Sequence, residues 1–213
     1  MNSEQIREEN REKVIGAGVT CLYRHGADQI QLEMVAGEAG VSKRSLLRYF
    51  DSKESLLLAV FGRINRDCFR EIMAFCNERM KETMAADRKL EVLFESLRSL
   101  FRTRENRIIT IVEVEIYLKD CPKSEFVKSQ FLKIYEFYTS KIEEILFEGE
   151  RECIFRDLGG CEKISADLIW NAYWGLMTQL TLSVKLGKYS LEYARRIIVE
   201  FIKRVIGDLC RKE

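Results

Sequence analysis

Apolar side chains recur at steps of three and four along nearly all of the chain, which is the period of an amphipathic helix. Val14, Gly18, Cys21 and Leu22 mark such a stripe in a helix over residues 3–24. Glu4, Glu8 and Glu9 crowd its start, where the helix dipole favours acids, and His25-Gly26 ends it. Leu32, Val35, Ala36 and Ala39 then define a short helix over 32–39, and Gly40 makes a turn that a side chain would strain. Ser42 is placed to cap a third short helix that turns Leu46 and Phe50 inward at i, i+4. Ser52 caps a fourth, in which Leu57, Phe61, Ile64, Cys68, Ile72 and Phe75 continue the stripe for about six turns. Ser55 holds the third position of that helix, where a capping box prefers Glu, and is a poor substitute for it.

The one composition shift falls near residue 55, beyond which the helices are long and aromatic. Leu90, Leu93, Leu97, Leu100 and Phe101 mark a fifth helix. Residues 108–118 are rich in Ile and Val and have some strand character, yet nothing nearby can pair with them, so they are read as a sixth. Cys121-Pro122 breaks it, and the seventh runs over about 123–151 with Phe131, Ile134, Tyr138, Ile142 and Ile145 on one side. Gly159-Gly160 is a loop, and the last two helices cover 162–185 and 190–210, split by Gly187. The pattern predicts an all-α protein of about nine helices. A three-helix head with a helix-turn-helix is expected over 1–52, and a helical body over 53–213.

Composition narrows the partners. Among 213 residues, one proline and 12 glycines suit long helices. Charge is balanced, with 35 basic and 34 acidic residues, so any nucleic-acid surface must be local. The seven cysteines include no C-x-x-C pair, and MNSEQIREENREK lacks the apolar core of a secretory signal. Free thiols in a reducing, cytoplasmic setting are expected. No run of 18 apolar residues is present, so no membrane span is expected. Catalysis is disfavoured, because His25 is the only histidine and no G-x-S-x-G, P-loop or G-x-G-x-x-G occurs. The same lone histidine excludes the paired Glu-x-x-His motifs of di-iron bundles, and no metal or cofactor is expected.

One segment departs from this even charge. Residues 42–53 hold Lys43, Arg44, Arg48 and Lys53 against Asp51 alone, whereas residues 1–60 as a whole hold eight basic and nine acidic residues. Leu46 and Phe50 occupy the inward face, so these cations cannot all share it. Positive charge is thus focused at the second helix of a helix-turn-helix, as a phosphate footprint requires.

The residues that carry this pattern resemble the tetracycline-repressor (TetR) family of bacterial transcription regulators. They are Gly26, Val35-Ala36, Ala39-Gly40-Val41-Ser42, Tyr49-Phe50 and Ser52-Lys53-Glu54, with a weaker match at Gly149 through Arg156. Ala27 stands where the family often has an aromatic, and Ile30-Gln31 replaces its hydroxyl pair, which weakens or removes the helix-two cap. Arg44 replaces a small residue and Leu47 replaces a frequent tyrosine that contacts the DNA backbone.

On this reading Arg44 is the base reader, since a guanidinium bonds guanine O6 and N7 together. Ser45 touches a base edge or a thymine methyl. Ser42, Lys43, Tyr49 and Lys53 hold phosphates and set register, and Arg48 suits either task. The resemblance further implies a homodimer that reads a palindromic operator, sealed by the last two helices through Trp170, Tyr173, Met177, Ile198, Phe201 and Val205.

It also implies a cavity among the central helices for a small hydrophobic effector. Phe61, Phe101, Phe131, Tyr135, Tyr138, Trp170 and Trp174 are candidate walls, and Glu115 is either a partner for a cationic ligand or a solvent-facing residue. Ligand and DNA would then select different states, with the fourth helix carrying the change. The family's usual mode is repression relieved by ligand. The alternative is a helical ligand- or protein-binding dimer whose DNA head has decayed.

Overall fold

The computed structural model describes residues 3–99, 111, 114, 118 and 124–210. Among the described residues all regular structure is helical. The helices are α1 (Ser3–Gln29), α2 (Leu32–Ala39), α3 (Lys43–Leu46), α4 (Lys53–Arg79), α5 (Ala86–Ser99), α6 (Ser124–Arg151), α7 (Glu162–Lys185) and α8 (Leu191–Leu209). They divide into two compact units. One holds α1 to α3, α4 as far as Cys68 and the start of α6 as far as Gln130. The other holds α4 from Phe69, α5, α6 from Phe131, α7 and α8.

Local rules set the elements of the first unit. Gly26 breaks α1 at φ 78°, a backbone angle that glycine reaches without strain, so the expected stop there is a kink inside the element. The α2–α3 turn is a Schellman closure. Gly40 adopts φ 65°, its amide donates to the Gly37 carbonyl, and Val41 N–H donates to the Ala36 carbonyl. Ser42 Oγ accepts from Ser45 N–H at 3.1 Å and caps α3. At the start of α4 the box expected to be poor is closed at both ends. Ser55 N–H donates to Ser52 Oγ at 3.1 Å, and Ser52 N–H donates to Ser55 Oγ at 3.3 Å. A serine hydroxyl is short, but it both accepts and donates, and here it also reaches the Ser52 carbonyl. Gly18 lets α1 approach α4, because a Cβ there would lie 2.6 Å from Val60 Cγ2. Arg63 on α4 clamps Glu12 of α1 at 2.9 Å and its own Asp67 at 2.7 Å.

The second unit is held by two buried phenols. Tyr173 Oη on α7 donates to the Phe94 carbonyl of α5 at 2.9 Å. Tyr138 Oη on α6 shares a 2.9 Å hydrogen bond with Ser96 Oγ of α5. Burial pushes both phenols far above their ordinary pKa, so they stay neutral. An unpartnered hydroxyl in such a core would cost about 1–3 kcal/mol, so these bonds fix where α5 meets its neighbours. After α6 the chain folds back on itself. Ile154 and Phe155 N–H both donate to the Gly149 carbonyl, and the Phe155 ring covers Gly149 so closely that a Cβ would lie 2.1 Å from it. Arg156 then pairs with Asp208 at 3.3 Å and donates its amide to the Leu209 carbonyl, tying the turn to the end of α8.

Of the helix expected over 108–118, Ile111, Val114 and Leu118 are described, and each is helical and buried. Their spacing of three and four is that of a helix's inner face. Leu100, Phe101, Glu115 and Cys121-Pro122 lie outside the described residues.

Candidate nucleic-acid interface

The interface is built by exclusion. Leu46 is fully buried and Phe50 nearly so, with the Arg11 guanidinium 5.3 Å from the Phe50 ring centre. Anchoring these two residues turns Ser42, Lys43, Arg44, Leu47 and Arg48 outward, and all five are exposed. Ser45, Tyr49 and Lys53 are half-buried. The regular helix covers only Lys43–Leu46, but amides 47–50 continue to bond back to carbonyls 43–46, so the surface turns helically as far as Phe50. All seven residues expected to touch DNA therefore lie on one continuous element or at the start of the next.

Two of these cations, Lys43 and Lys53, have partners in the chain. Lys43 Nζ bonds Glu33 Oε1 at 2.5 Å, and that hydrogen bond pulls the Glu33 carboxyl below the usual range. Lys53 Nζ donates to the Asp28 carbonyl at 3.3 Å. Arg24 pairs with Glu38 at 2.9 Å beside the same motif. Gln31 makes no side-chain cap to α2, as its side chain leads one to expect, while Ala27 and Ile30 pack inside as core residues. Glu33 was not singled out in the sequence. Its only signal is its place in the first turn of the helix that precedes the recognition turn.

The residues expected around an effector fare unevenly. Phe131, Trp174, Trp170 and Tyr138 form a run of aromatic contacts, with Trp170 stacked on Tyr138 at 4.3 Å and on Trp174 at 5.7 Å. Tyr135 Oη donates to Asp167 Oδ1 at 2.8 Å, and that carboxylate raises the phenol's pKa. Phe61 is fully buried in the first unit. Phe101 and Glu115 are outside the described residues.

A half-open cavity of about 580 Å³ lies elsewhere in the second unit, between the end of α4, α5 and α6. None of the described effector candidates lines it; Met73, Cys76, Leu93, Phe137, Lys89 and Glu148 do. Lys89 and Glu148 are bonded to each other across 59 positions. Lys89 carried a readable signal, since it follows Ala86 by three and precedes Leu93 by four on the buried stripe of α5. Its partner carried none.

Of the residues expected at a dimer seam, Trp170, Tyr173, Met177 and Ile198 are buried within the single chain, while Phe201 and Val205 are half-buried. The open apolar positions of α7 are Ile164 and Leu168, 61% and 66% exposed. No described helix is long and apolar enough to cross a membrane.

Residues 14–60 match the family model of bacterial regulatory proteins, tetR family. A fatty acid metabolism regulator protein of Bacillus subtilis is 24% identical over 137 residues, 64% of this chain and 66% of that relative. The alignment thus spans just under two thirds of the relative's length. Three solved structures share the fold. One is a transcriptional regulator from Saccharomonospora viridis in complex with choline (TM-score 0.72, 18% identity, 92% of this chain and 96% of that one). Another is a TetR-family regulator from Streptomyces coelicolor (0.69, 16%, 96% and 97%). The third is the regulator FadR from Bacillus subtilis in complex with stearoyl-CoA (0.63, 19%, 92% and 98%). The tetR family match thus falls on a segment that includes the exposed basic turn, and the fold is shared with these solved regulators over more than nine tenths of this chain.

Proposed function

We propose that the protein is a repressor that binds a palindromic operator as a homodimer and leaves it when a small, largely apolar effector binds. The observation that carries this reading is the exposed set Ser42, Lys43, Arg44 and Arg48 on a turn whose inner side is locked by Leu46 and Phe50. A rigid mount with exposed polar tips is what base readout needs. Arg44 reads a base, Ser45 assists, Ser42, Lys43, Tyr49 and Lys53 take phosphates, and Arg48 serves either role. The functional division is a DNA head over 1–52 and an effector and dimer body over 53–213.

The relatives support a ligand-controlled regulator, one named for fatty acid metabolism and one solved with stearoyl-CoA. The dimer seam is assigned to the outward face of α7, where Ile164 and Leu168 are open. The α4 helix is continuous from the cap beside the DNA-facing turn to Arg79, and so is the natural carrier of the two states. Coupling of this type is typically about 1–3 kcal/mol and is reciprocal, so effector binds less tightly to the DNA complex.

The test is fluorescence anisotropy on DNA from upstream of the protein's own gene and on operators selected from a random pool, across a salt series. Tight, steeply salt-dependent binding is expected. Arg44→Ala is expected to lose about 1–3 kcal/mol and relax preference at one base position. Equal binding of both proteins to every site would remove Arg44 as the reader. No sequence preference from the pool would instead support a binding dimer whose head no longer reads DNA.

A further inference from the structure

We propose that the cavity between α4, α5 and α6 binds a small amphipathic carboxylate, whose head takes the place of Glu148 on the buried Lys89 ammonium. This rests on the ligand-responsive reading above and names its ligand class.

Lys89 is 7% exposed and faces the cavity, where its one described acceptor is Glu148 Oε1. An ammonium carries three N–H donors, so two remain to be directed at a ligand. The pair is asymmetric. The Lys89 side chain is 9% exposed and cannot leave, whereas that of Glu148 is 30% exposed and has solvent to turn into. An ion pair with one buried member is a poor means of stabilisation, since an apolar side chain would fill this position of α5 without the desolvation cost. What it supplies is a cation held in place by the burial of its side chain, with a more exposed, exchangeable anion.

Exchange also sets the sign of the ligand. An entering carboxylate keeps Lys89 paired and releases Glu148 to water. An entering cation would draw Glu148 away and leave Lys89 buried without a counter-charge, the more costly state. Lys81, Glu82, Lys141 and Glu144 add two charges of each sign to the lining and leave this preference unaltered. Met73, Met80, Leu93, Phe137 and Ile145 provide the apolar wall for a tail, and thioethers adapt to irregular shapes. A volume of about 580 Å³ suits a small organic molecule.

The experiment is calorimetric titration of the full chain with three probes that share one tail: octanoate, octanol and octyltrimethylammonium. Octanoate is expected to bind most tightly, about tenfold more tightly still to Glu148→Gln, and about tenfold or more weakly to Lys89→Met. Octanol is expected to bind all three proteins alike. Should Lys89→Met not fold, Lys89→Met/Glu148→Leu replaces the pair with apolar groups and serves the same comparison. Octanoate binding that ignores position 89, a preference for octyltrimethylammonium, or no octanoate binding to either wild type or Glu148→Gln overturns the proposal. Operator binding is followed with the same probes. Release by octanoate that survives Lys89→Met overturns this site and leaves the regulator reading standing. Position-89-dependent binding without effect on DNA keeps the site and removes its regulatory use.

Discussion

Lys43 stands on the proposed DNA-facing surface with its charge already answered by Glu33, an exposed carboxylate one helix away. Phosphate must compete with that carboxylate, and Glu33 itself repels the DNA backbone at close range. Glu33→Gln is therefore expected to tighten binding to operator and random DNA alike, and to steepen the salt dependence by about one counterion. The measurement is anisotropy between low and moderate salt; an unchanged slope would show that Lys43 stays off the phosphates. Leu47 is 41% exposed on the same turn, so an apolar side chain stands open where the resembled family often has tyrosine. The outward direction of Lys43, Arg44 and Arg48 was legible in the sequence, because Leu46 and Phe50 at i, i+4 define the opposite side. The Glu33 bond was not, because a salt bridge between two exposed side chains depends on how α2 and α3 cross.

At the scale of elements, caps and glycines decide where helices start and how near they come. Ser52→Ala removes an acceptor from the reciprocal pair at the head of α4, and is expected to cost about 1 kcal/mol. Its check is the urea midpoint of the full chain, with Ser55→Ala giving a similar loss if the two hydroxyls act as a unit. Gly149→Ala is expected to be worse despite alanine's better helix propensity. The new Cβ would lie 2.1 Å from the buried Phe155 ring, and moving that ring costs about 1–3 kcal/mol. A thermal melt should show a Tm lower by several degrees; a higher Tm would mean that Phe155 is free to move. The positions of α7 and α8 were predicted almost to the residue because their stops are local: Gly159-Gly160, Gly187 and the Ser190 cap. Ser52 is the cap the sequence points to, while Ser55, a poor substitute for Glu by propensity, closes the box because its hydroxyl both accepts and donates.

For the whole molecule the outward face of α7 is decisive. Ile164 and Leu168 lie at i, i+4 and are mostly open, which is the spacing of a helix seam. Leu168→Glu is expected to convert the proposed dimer to monomer in sedimentation and to weaken binding to the proposed operator at least about tenfold, since each head then binds alone. A variant that stays dimeric would move the seam off this face. By itself the sequence determined the helical class, most helix limits and the exposed basic turn, because helix period, caps and glycine turns act within a few residues. Which side of α7 is core was decided only by tertiary structure. That helix is apolar on two sides, and periodicity alone cannot say whether Trp170, Tyr173 and Met177 or Ile164 and Leu168 meet α5 and α8. The same holds for Lys89 and Glu148, 59 residues apart, whose pairing exists only because α5 packs against α6 with both side chains turned to one cavity.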